Sequence, residues 1–263
     1  MKIATYNVNS INARIENLCS WLNVQKPDIV LLQEIKSEFN SFPFFEIQSC
    51  GYNVSILGQK SYNGVAILSR EKIKVINENI PSFTDDQARY LEADVNIQGT
   101  TYRVASVYLP NGNPPYNNAS DNSKFEYKLA WMDAFINHIK DLAILPQPVV
   151  IGGDFNVIMT DKDVYDPKAF ANNALFRHEV KQRLQQLSFL GFYDTFRILH
   201  PHDIGYTFWD YTANSLNADF GMRIDYIFAS APAVDKLSSC FVDKAPRLAN
   251  KPSDHTPLIA EFL

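Results

Sequence analysis

The strongest constraint on the fold is an apolar run that ends in two glycines and two polar residues. Pro148 to Ile151 places four apolar residues in succession, which is typical of a strand buried on both faces. The Gly152-Gly153 pair follows, and we expect it to let the backbone turn tightly. Because side chains alternate along an extended chain, Asp154 and Asn156 should emerge together while Phe155 enters the core. Taken alone, the run also fits a plain turn, and polar residues elsewhere decide between the two interpretations.

Other polar side chains stand where apolar segments end. Asn7 closes the first predicted strand, and Glu34 follows the buried strand predicted over residues 28–34. Tyr108 closes a β-branched strand, although its position also suits an amphipathic core tyrosine. A single carboxylate that follows a strand is often only a helix cap. Polar residues at the ends of several strands, however, favour a site that these residues share.

Helical periodicity appears between these strands. Apolar residues recur at helical spacing over 124–142, over 173–190 and in a first helix that ends before Pro27. Ser10 or Asn12 could cap that first helix. Strands and helices therefore mix along the chain, which predicts an α+β protein.

Asp225 and His255 form a predicted pair near the carboxyl terminus. Asp225 interrupts the apolar strand predicted over residues 222–228, where an unpaired buried carboxylate would be costly. His255 lies in a proline-flanked loop directly before the final strand, which is predicted over residues 258–262. A single histidine is usually structural, but this one is the natural partner for Asp225.

Composition limits the class of protein without deciding its substrate. With 263 residues, 46% of them hydrophobic, the chain can bury a large core, and no composition break divides it, so we predict one catalytic domain over residues 1–263. It lacks a secretory signal and a membrane-spanning run, and its three cysteines lack a metal-ligand pattern. We therefore expect a soluble, cytoplasmic monomer without a membrane partner. The net charge of −5 argues only mildly against a polyanionic binding partner, because a protein with a negative total charge can still carry a basic groove.

The polar residues at the strand ends share one chemistry. They supply acids, a histidine that a second acid can orient, amides able to donate to an oxyanion, and oxygen ligands for a hard cation. Metal-assisted phosphoester hydrolysis requires this set of groups. The pattern suits a sheet sandwich whose loops converge at one rim.

Eight short segments carry a resemblance to a known family, and they run in family order along almost the whole chain. They are Tyr6-Asn7-Val8-Asn9, Leu32-Gln33-Glu34-Ile35-Lys36, Tyr62-Asn63-Gly64-Val65-Ala66, Tyr108-Leu109-Pro110-Asn111, Gly153-Asp154-Phe155-Asn156, Phe208-Trp209-Asp210-Tyr211, Arg223-Ile224-Asp225-Tyr226 and Pro252-Ser253-Asp254-His255. At these segments the chain resembles the exonuclease III family of bacterial abasic-site endonucleases, within the deoxyribonuclease I-like endonuclease/exonuclease/phosphatase superfamily.

The resemblance implies a fold and a role for each site residue. The implied fold is a four-layer α/β/β/α sandwich, in which two mixed β-sheets pack face to face with helices outside. Glu34 would hold Mg²⁺ or Mn²⁺ with Asn7, and Asp254 and Asp154 would contribute to the metal site. Asp154 would also activate the attacking water. The remaining catalytic groups would be Asn156 and His255 as donors to the transition state, Asp225 behind His255, and Tyr108 at the scissile phosphate.

The resemblance also implies a substrate, duplex DNA with abasic sites or 3′ ends. The enzyme would cut 5′ to an abasic site and remove nucleotides or blocking groups from 3′ ends in base excision repair. An abasic nucleotide lacks a base to stack and is extruded at low cost into an apolar slot. The implied slot walls are Phe208, Trp209, Met222 and Ile224, of which at least one of the first two could be packed core instead. The implied phosphate contacts are Arg223, Arg89, Lys36, Tyr62, Asn111 and Lys251.

Several departures and alternatives stay open at this level. Asn9-Ser10 and Ile35 depart from common family residues beside the metal site, and Met222 replaces a larger side chain in the slot. These changes bear on metal affinity and on the balance between endonuclease and exonuclease activity, which sequence does not give. One alternative is a phosphatase or phosphodiesterase for inositol phosphates or lipid headgroups. Another is a nucleic-acid-binding module without catalysis.

Overall fold

Two mixed β-sheets form the centre of the protein in a computed structural model that describes residues 1–81, 83–114, 118–212 and 214–263. Each sheet has six strands within those residues. Among the described helices, none is both long and apolar enough to cross a membrane. Residues 111–123 are a polar stretch, long for a plain connection, that the sequence predicts to be a functional loop, and residues 115–117 within it lie outside the described part of the chain.

The first sheet carries the amino-terminal half of the site. Its strand order is β13-β14-β1-β2-β4-β3. The strands are β1 (Lys2–Asn7), β2 (Ile29–Gln33), β3 (Asn53–Leu57), β4 (Val65–Ser69), β13 (Leu237–Val242) and β14 (Leu258–Phe262). β1 and β2 are parallel, with Asn7 opposite Gln33. Asn7 and Glu34 therefore leave the sheet at the same edge.

The second sheet carries the other half of the site. Its strand order is β5-β6-β7-β8-β12-β9. The strands are β5 (Ile73–Asn77), β6 (Tyr90–Ile97), β7 (Thr100–Tyr108), β8 (Val149–Asp154), β9 (Phe192–Asp194) and β12 (Asp225–Ser230). Tyr108 is opposite Asp154 in the parallel β7–β8 pair, and Asp225 is opposite Asp154 in the antiparallel β8–β12 pair. Register thus places three predicted site residues side by side.

Helices cover the outer faces of both sheets. The longer ones are α1 (Ile11–Gln25), α3 (Ser123–Ala143) and α4 (His178–Phe189). The shorter ones are α2 (Phe44–Ser49), α5 (Thr195–Leu199) and α6 (Ala231–Val234), and β10 (Phe208–Trp209) pairs with β11 (Gly221–Met222) as a separate ribbon. Apolar residues of α1 and α2 pack on the first sheet, and those of α3 and α4 pack on the second. The expected four-layer α/β/β/α sandwich is confirmed.

Three local expectations were wrong. The fourth helix begins at His178 instead of residue 173, because turns that face the site occupy residues 173–177. The strand predicted over 222–228 is divided between β11 and β12. Ser10 precedes α1 without a side-chain cap, and its backbone N–H instead donates to the carbonyl of Glu34. That bond joins the start of α1 to the edge of the first sheet that carries the site.

The glycines of β8 serve close packing and not a turn. Gly152 and Gly153 both lie inside the strand. A Cβ on Gly152 would approach Leu31 of the opposite sheet to 2.8 Å, and one on Gly153 would lie 1.9 Å from the carbonyl oxygen of Val107. No side chain fits at either position without displacing a neighbour. The small size of Gly152 lets the two sheets meet directly beneath Asp154, and that of Gly153 lets β8 lie close to β7 of its own sheet.

Candidate active site

A single amide joins the two sheets at the edge where the polar residues meet. The Asn7 Nδ2 atom lies 2.8 Å from Glu34 Oε1 and 3.0 Å from Asp154 Oδ2. Asn7 and Asp154 are buried, whereas Glu34 retains partial access to solvent. The structure therefore brings together three residues that are far apart in the sequence, Asn7 and Glu34 from the first sheet and Asp154 from the second.

His255 stands beside this cluster and is held by Asp225, as the sequence predicts. Its Nδ1 atom lies 2.8 Å from Asp225 Oδ2, and its Nε2 atom lies 3.7 Å from Asp154 Oδ2. Burial alone would lower the pKa of His255, but the carboxylates of Asp225 and Asp154 outweigh it and raise the pKa to about 10. The imidazole is therefore a cation at neutral pH. It can donate a proton or a hydrogen bond from Nε2.

Asp154 is a buried carboxylate whose pKa is raised to near neutral pH. Burial raises its pKa to about 7; His255 opposes the rise, and the negative charges of Asp225 and Glu34 add to it. One Asp154 oxygen accepts a hydrogen bond from the backbone N–H of Asn156. A carboxylate with a pKa near neutrality is suited to general-base catalysis.

Glu34 has the opposite balance and stays ionised. Burial favours its neutral form, but the positive charge of Lys36 and the Asn7 amide outweigh this effect and lower the pKa of Glu34. Lys36 Nζ lies 2.8 Å from Glu34 Oε2, and the Tyr108 hydroxyl donates to Glu34 Oε1 at 2.9 Å. Burial and the nearby carboxylates raise the pKa of Tyr108 well above its usual value, so its hydroxyl remains a donor.

The backbone around these side chains is unusually shaped. Asn9, Ser10, Glu34, Lys36 and Asn156 all have positive φ, between 44° and 85°. Residues other than glycine each cost roughly 1–3 kcal/mol in this region, and they persist where the surroundings hold them. The backbone N–H of Lys36 donates to Asn63, and that of Ile35 donates to Gly64. Backbone strain of this kind often occurs at functional sites.

Asn156 and Asn111 form a second, amide-rich part of the site. Asn156 Nδ2 donates to the carbonyl of Leu109 at 2.9 Å, and Asn156 Oδ1 accepts from Asn111 Nδ2 at 3.1 Å. Asn111 is therefore hydrogen-bonded to Asn156. It also lines a groove beside the site, which agrees with its predicted contact with a phosphate. Asn156 retains one side-chain N–H able to donate to a substrate oxygen.

The donor set fits a hard divalent cation. Ligand atoms of Glu34, Asp154 and His255 all lie within 4.8 Å of one another. Because His255 is protonated at neutral pH, the oxygen atoms of Glu34 and Asp154 are the suitable ligands. Asn7 turns its Nδ2 toward both carboxylates, so it would join them as a ligand only through Oδ1, which accepts from the backbone N–H of Asn9. Burial is the main cause of the raised pKa of Asp154, and a cation between the two carboxylates would relieve the smaller contribution from the negative charge of Glu34.

Asp254, the remaining predicted metal ligand, lies to one side of this group. Its Oδ1 atom accepts a hydrogen bond from Asn9 Nδ2 at 3.0 Å. Asn9 Oδ1 in turn accepts from Lys36 Nζ at 2.6 Å. Asn9 therefore connects Asp254 to Lys36 and Glu34, which gives Asp254 an indirect route to the metal site.

The slot predicted from the aromatic segment is present only in part. Phe208 and Met222 are half-buried and face each other across the β10–β11 ribbon, and Ile224 lies buried beneath them. The Phe208 ring also packs edge-on against His255, with 5.0 Å between centroids. The assignment of Trp209 to the slot was wrong. Because side chains alternate along the strand, Trp209 points into the core, where its indole N–H donates to Asp219.

The assignment of Arg223 to phosphate binding was also wrong. Its side chain is 1% exposed, and its guanidinium pairs with Asp163 at 2.7 Å and with Asp194 at 2.6 Å. All of its charge is directed into the protein. Sequence spacing did not indicate the two carboxylates, which lie 60 and 29 residues away.

The remaining predicted phosphate contacts differ in setting. Arg89 stacks over the Tyr108 ring and lines a groove of about 460 Å³ together with Asn111 and Lys124. Tyr62 and Lys251 are exposed. Lys36 is already paired with Glu34, which places it at the metal site. Arg89 is the cation of this set that lies nearest to Tyr108.

Replacement of Arg223 by Met should destabilise the fold strongly. It would leave Asp194 without its buried cation and Asp163 with only the partly exposed Arg197, and breaking a buried pair in this way typically costs about 3–5 kcal/mol. Urea unfolding of both proteins at pH 7.5 measures the difference in the free energy of unfolding. The matched control is Arg183→Met, because Arg183 forms an exposed pair with Asp133 and such pairs contribute about 1 kcal/mol or less. Equal destabilisation by the two changes would contradict the structural role of Arg223.

Sequence reasoning missed two hydroxyl residues that support the site. The Thr207 hydroxyl donates to Asp225 Oδ2 at 2.6 Å, and the Ser253 hydroxyl donates to the carbonyl of Asn7 at 2.7 Å. Ser253 stands next to Asp254 in a segment that carries the family resemblance, which is the signal that could have found it. Nothing in the local pattern around Thr207 indicates its contact with Asp225.

Comparison with known proteins places this geometry among nucleases. Residues 4–255 match the model of the endonuclease/exonuclease/phosphatase family. The chain is similar to exodeoxyribonuclease III of Haemophilus influenzae, with 29% identity over the full length of both proteins.

Two solved structures are also similar over nearly their whole length. An AP endonuclease from Archaeoglobus fulgidus has 35% identity and a TM-score of 0.92, covering 100% of this chain and 99% of that one. The 3′ phosphatase NExo from Neisseria, solved as a variant bound to a product DNA hairpin, has 35% identity, a TM-score of 0.93 and the same coverage.

Proposed function

Because the chain belongs to the endonuclease/exonuclease/phosphatase family, and within it to the exonuclease III group, we propose that it is a Mg²⁺-dependent DNA-repair nuclease that incises duplex DNA 5′ to abasic sites and processes 3′ ends. The observation that carries the proposal is the junction of Glu34, Asn7 and Asp154 with the Asp225–His255 pair at one rim. Relatives that act at abasic sites and at 3′ ends support the choice of substrate. We propose that the enzyme acts as a monomer.

Each residue of the rim has a task in phosphodiester hydrolysis. Asp154 orients a water molecule and accepts its proton, because burial raises its pKa and makes the carboxylate a stronger base. The His255 imidazolium and the free N–H of Asn156 donate to the phosphoryl oxygens as negative charge develops there. Asp225 keeps His255 charged and oriented. A Mg²⁺ ion bound by Glu34 and Asn7 would supply Lewis-acid polarisation of the phosphate.

The apolar slot beside His255 accounts for the proposed preference for abasic sites. Phe208 and Met222 form walls that offer apolar contacts to a sugar, with Ile224 buried beneath. Extruding a nucleotide that has no base avoids most of the unstacking cost, so such a site enters most easily. Arg89 and Tyr108 would contact phosphates without reading base sequence.

The test uses defined DNA substrates and a competing substrate class. A 5′-labelled duplex with one central tetrahydrofuran abasic analogue, a duplex with a recessed 3′ end and a duplex with a 3′-phosphate are each incubated with Mg²⁺ or with EDTA. We expect a discrete cut at the analogue and 3′ processing, both lost in EDTA. Phosphate release from inositol phosphates with no cleavage of any duplex would overturn the proposal and favour the phosphatase alternative.

Replacement of Glu34 by Gln should weaken metal binding. The change removes the negative charge of the carboxylate that remains ionised in this site, so we expect the affinity for Mg²⁺ to fall at least about 10-fold. Isothermal titration calorimetry with Mg²⁺, repeated with Mn²⁺, measures the change without relying on activity. Glu38→Gln is the control, because Glu38 is exposed and outside the site. An unchanged affinity in Glu34→Gln would place the ion elsewhere.

A further inference from the structure

Lys128 is a fully buried lysine for which neither the family assignment nor the proposed chemistry has a role. It lies in the first half of α3, and its side chain is 0% exposed. Its Nζ atom donates to three backbone carbonyls, those of Asn156 at 2.7 Å, Asn111 at 2.9 Å and Ala174 at 3.2 Å. Three acceptors match the three hydrogens of an ammonium group.

The three carbonyls belong to three separate loops, and two of these loops carry site residues. Asn156 follows β8 with a φ of 48°, and its side chain is bonded to Asn111 and to Leu109. The loop of Asn173 and Ala174 is joined to the Asn111 loop through Asn113, whose side chain bonds both loops. Lys128 is thus the common centre of the amide-rich part of the site.

Two further observations indicate that this arrangement is built around the ammonium group. Gly112 has a φ of 83°, and a Cβ at that position would lie 2.6 Å from Lys128 Cδ, so the loop is shaped to pass over the lysine stem. In the part of the chain that the structure describes, no carboxylate forms a salt bridge with Lys128. Burial lowers the pKa of Lys128 to about 7, whereas the negative charge of Asp154 and the three carbonyl acceptors favour the ammonium form.

Burying a lysine without a carboxylate is costly, and here the cost is offset because the ammonium group bonds three carbonyls that an apolar side chain would leave without a donor. Carbonyl groups of three loops cannot hydrogen-bond to one another, because all of them are acceptors. A single buried donor with three hydrogens can fix their relative positions.

We propose that Lys128 is a positioning residue that sets the Asn156 and Asn111 amides against the scissile phosphate by holding the backbone of their loops. The inference rests on the proposed nuclease function for its catalytic consequence. Lys128 touches neither substrate nor metal. It acts through Asn156, and a displacement of such a group by about 1 Å can lower a rate about 100-fold.

The kinetic test compares Lys128→Met with Lys140→Met, a change at an exposed lysine of the same helix. Cleavage of the abasic duplex should show kcat reduced about 30- to 100-fold in Lys128→Met with KM within about threefold of wild type. Lys140→Met should behave as wild type. A kcat for Lys128→Met equal to that of Lys140→Met would overturn the proposal.

A double-variant cycle separates positioning from general loss of structure. If Lys128 acts through Asn156, the double variant Lys128→Met/Asn156→Ala should cleave no more than about threefold more slowly than Asn156→Ala alone. Multiplicative losses would show that Lys128 acts independently of Asn156 and would overturn the proposal. If Lys128→Met does not fold, Lys128→Gln, which keeps one donor group, replaces it in every measurement.

Hydrogen exchange tests the same inference without any substrate. Peptides covering residues 109–114, 155–159 and 173–177 should exchange faster in Lys128→Met than in Lys140→Met, while β1 and β14 on the other sheet remain unchanged. Unchanged exchange in the three loops would overturn the positioning role. If the wild-type protein fails to cleave DNA, the proposed function is overturned. Hydrogen exchange of the three loops then still tests whether Lys128 positions them.

Discussion

Replacement of Asp154 by Asn is expected to lower the rate constant of DNA cleavage by about 10³-fold, because the variant lacks the group that accepts the proton from water. An asparagine keeps the size of the side chain and can still accept the hydrogen bond from the N–H of Asn156. Single-turnover cleavage of the abasic duplex at saturating Mg²⁺ measures the loss. Asp141→Asn, at an exposed position of α3, is the control. A rate within about threefold of wild type would remove Asp154 from the role of base.

The same variant is expected to be more stable than wild type in metal-free buffer at pH 8. Burial raises the pKa of Asp154 from 3.8 to about 7, so the folded protein holds this proton more tightly than the unfolded chain does. Ionisation of Asp154 therefore costs folding stability as the pH rises from about 4 to 7. The amide of the Asp154→Asn variant does not ionise, and the Tm difference should be largest at pH 8 and shrink toward pH 4. A lower Tm at pH 8 would contradict the electrostatic account.

Loss of His255 or of its partner is the second large expected effect. His255→Ala should slow cleavage about 10²- to 10³-fold, because a preorganised donor to the phosphoryl oxygens is removed. Asp225→Asn should cost a comparable amount, since it leaves His255 without the carboxylate that orients it. Because the two residues act as a unit, the double variant should be little slower than His255→Ala. His178→Ala, at an exposed position that begins α4, is the control.

The pH dependence of cleavage distinguishes orientation from charge. Below its raised pKa of about 10, His255 stays protonated, so the wild-type rate should not fall between pH 7 and 9 through loss of this proton. Asp225 is the largest source of that rise. In Asp225→Asn the histidine should therefore lose its proton at lower pH, and the rate should decline as the pH rises above about 6.5. Parallel pH profiles for the two proteins would show that Asp225 does not set the charge of His255.

Much of the fold was predictable from local pattern. The last strand, Leu258–Phe262, agrees with its predicted bounds, and the long third helix differs from its predicted bounds by one residue at each end. Strong periodicity and flanking breakers explain this agreement. The start of the fourth helix was misplaced because residues 173–177 have helix-compatible composition but are held in turns by contacts with other loops.

Predictions about individual site residues succeeded where the chemistry left few options. A carboxylate at residue 225 inside an apolar strand required a partner, and His255 supplies it. Arg223 failed because a surface arginine and a buried, doubly paired arginine have the same local sequence signal. Trp209 failed because the two faces of a two-residue strand are both apolar here, so alternation could not be assigned.

The amino-acid sequence by itself determined the long helices and several of the buried strands, the polar residues that end those strands, and the family to which the matching segments belong. Only the tertiary structure decided that Asn7 bridges Glu34 and Asp154, that Asp163 and Asp194 neutralise Arg223, and that Lys128 joins three loops. Local pattern arises from interactions between residues close in the chain, which sequence displays directly. Burial, paired charges and shifted pKa values arise from residues brought together by the packing of two sheets, and their partners can be more than a hundred positions apart.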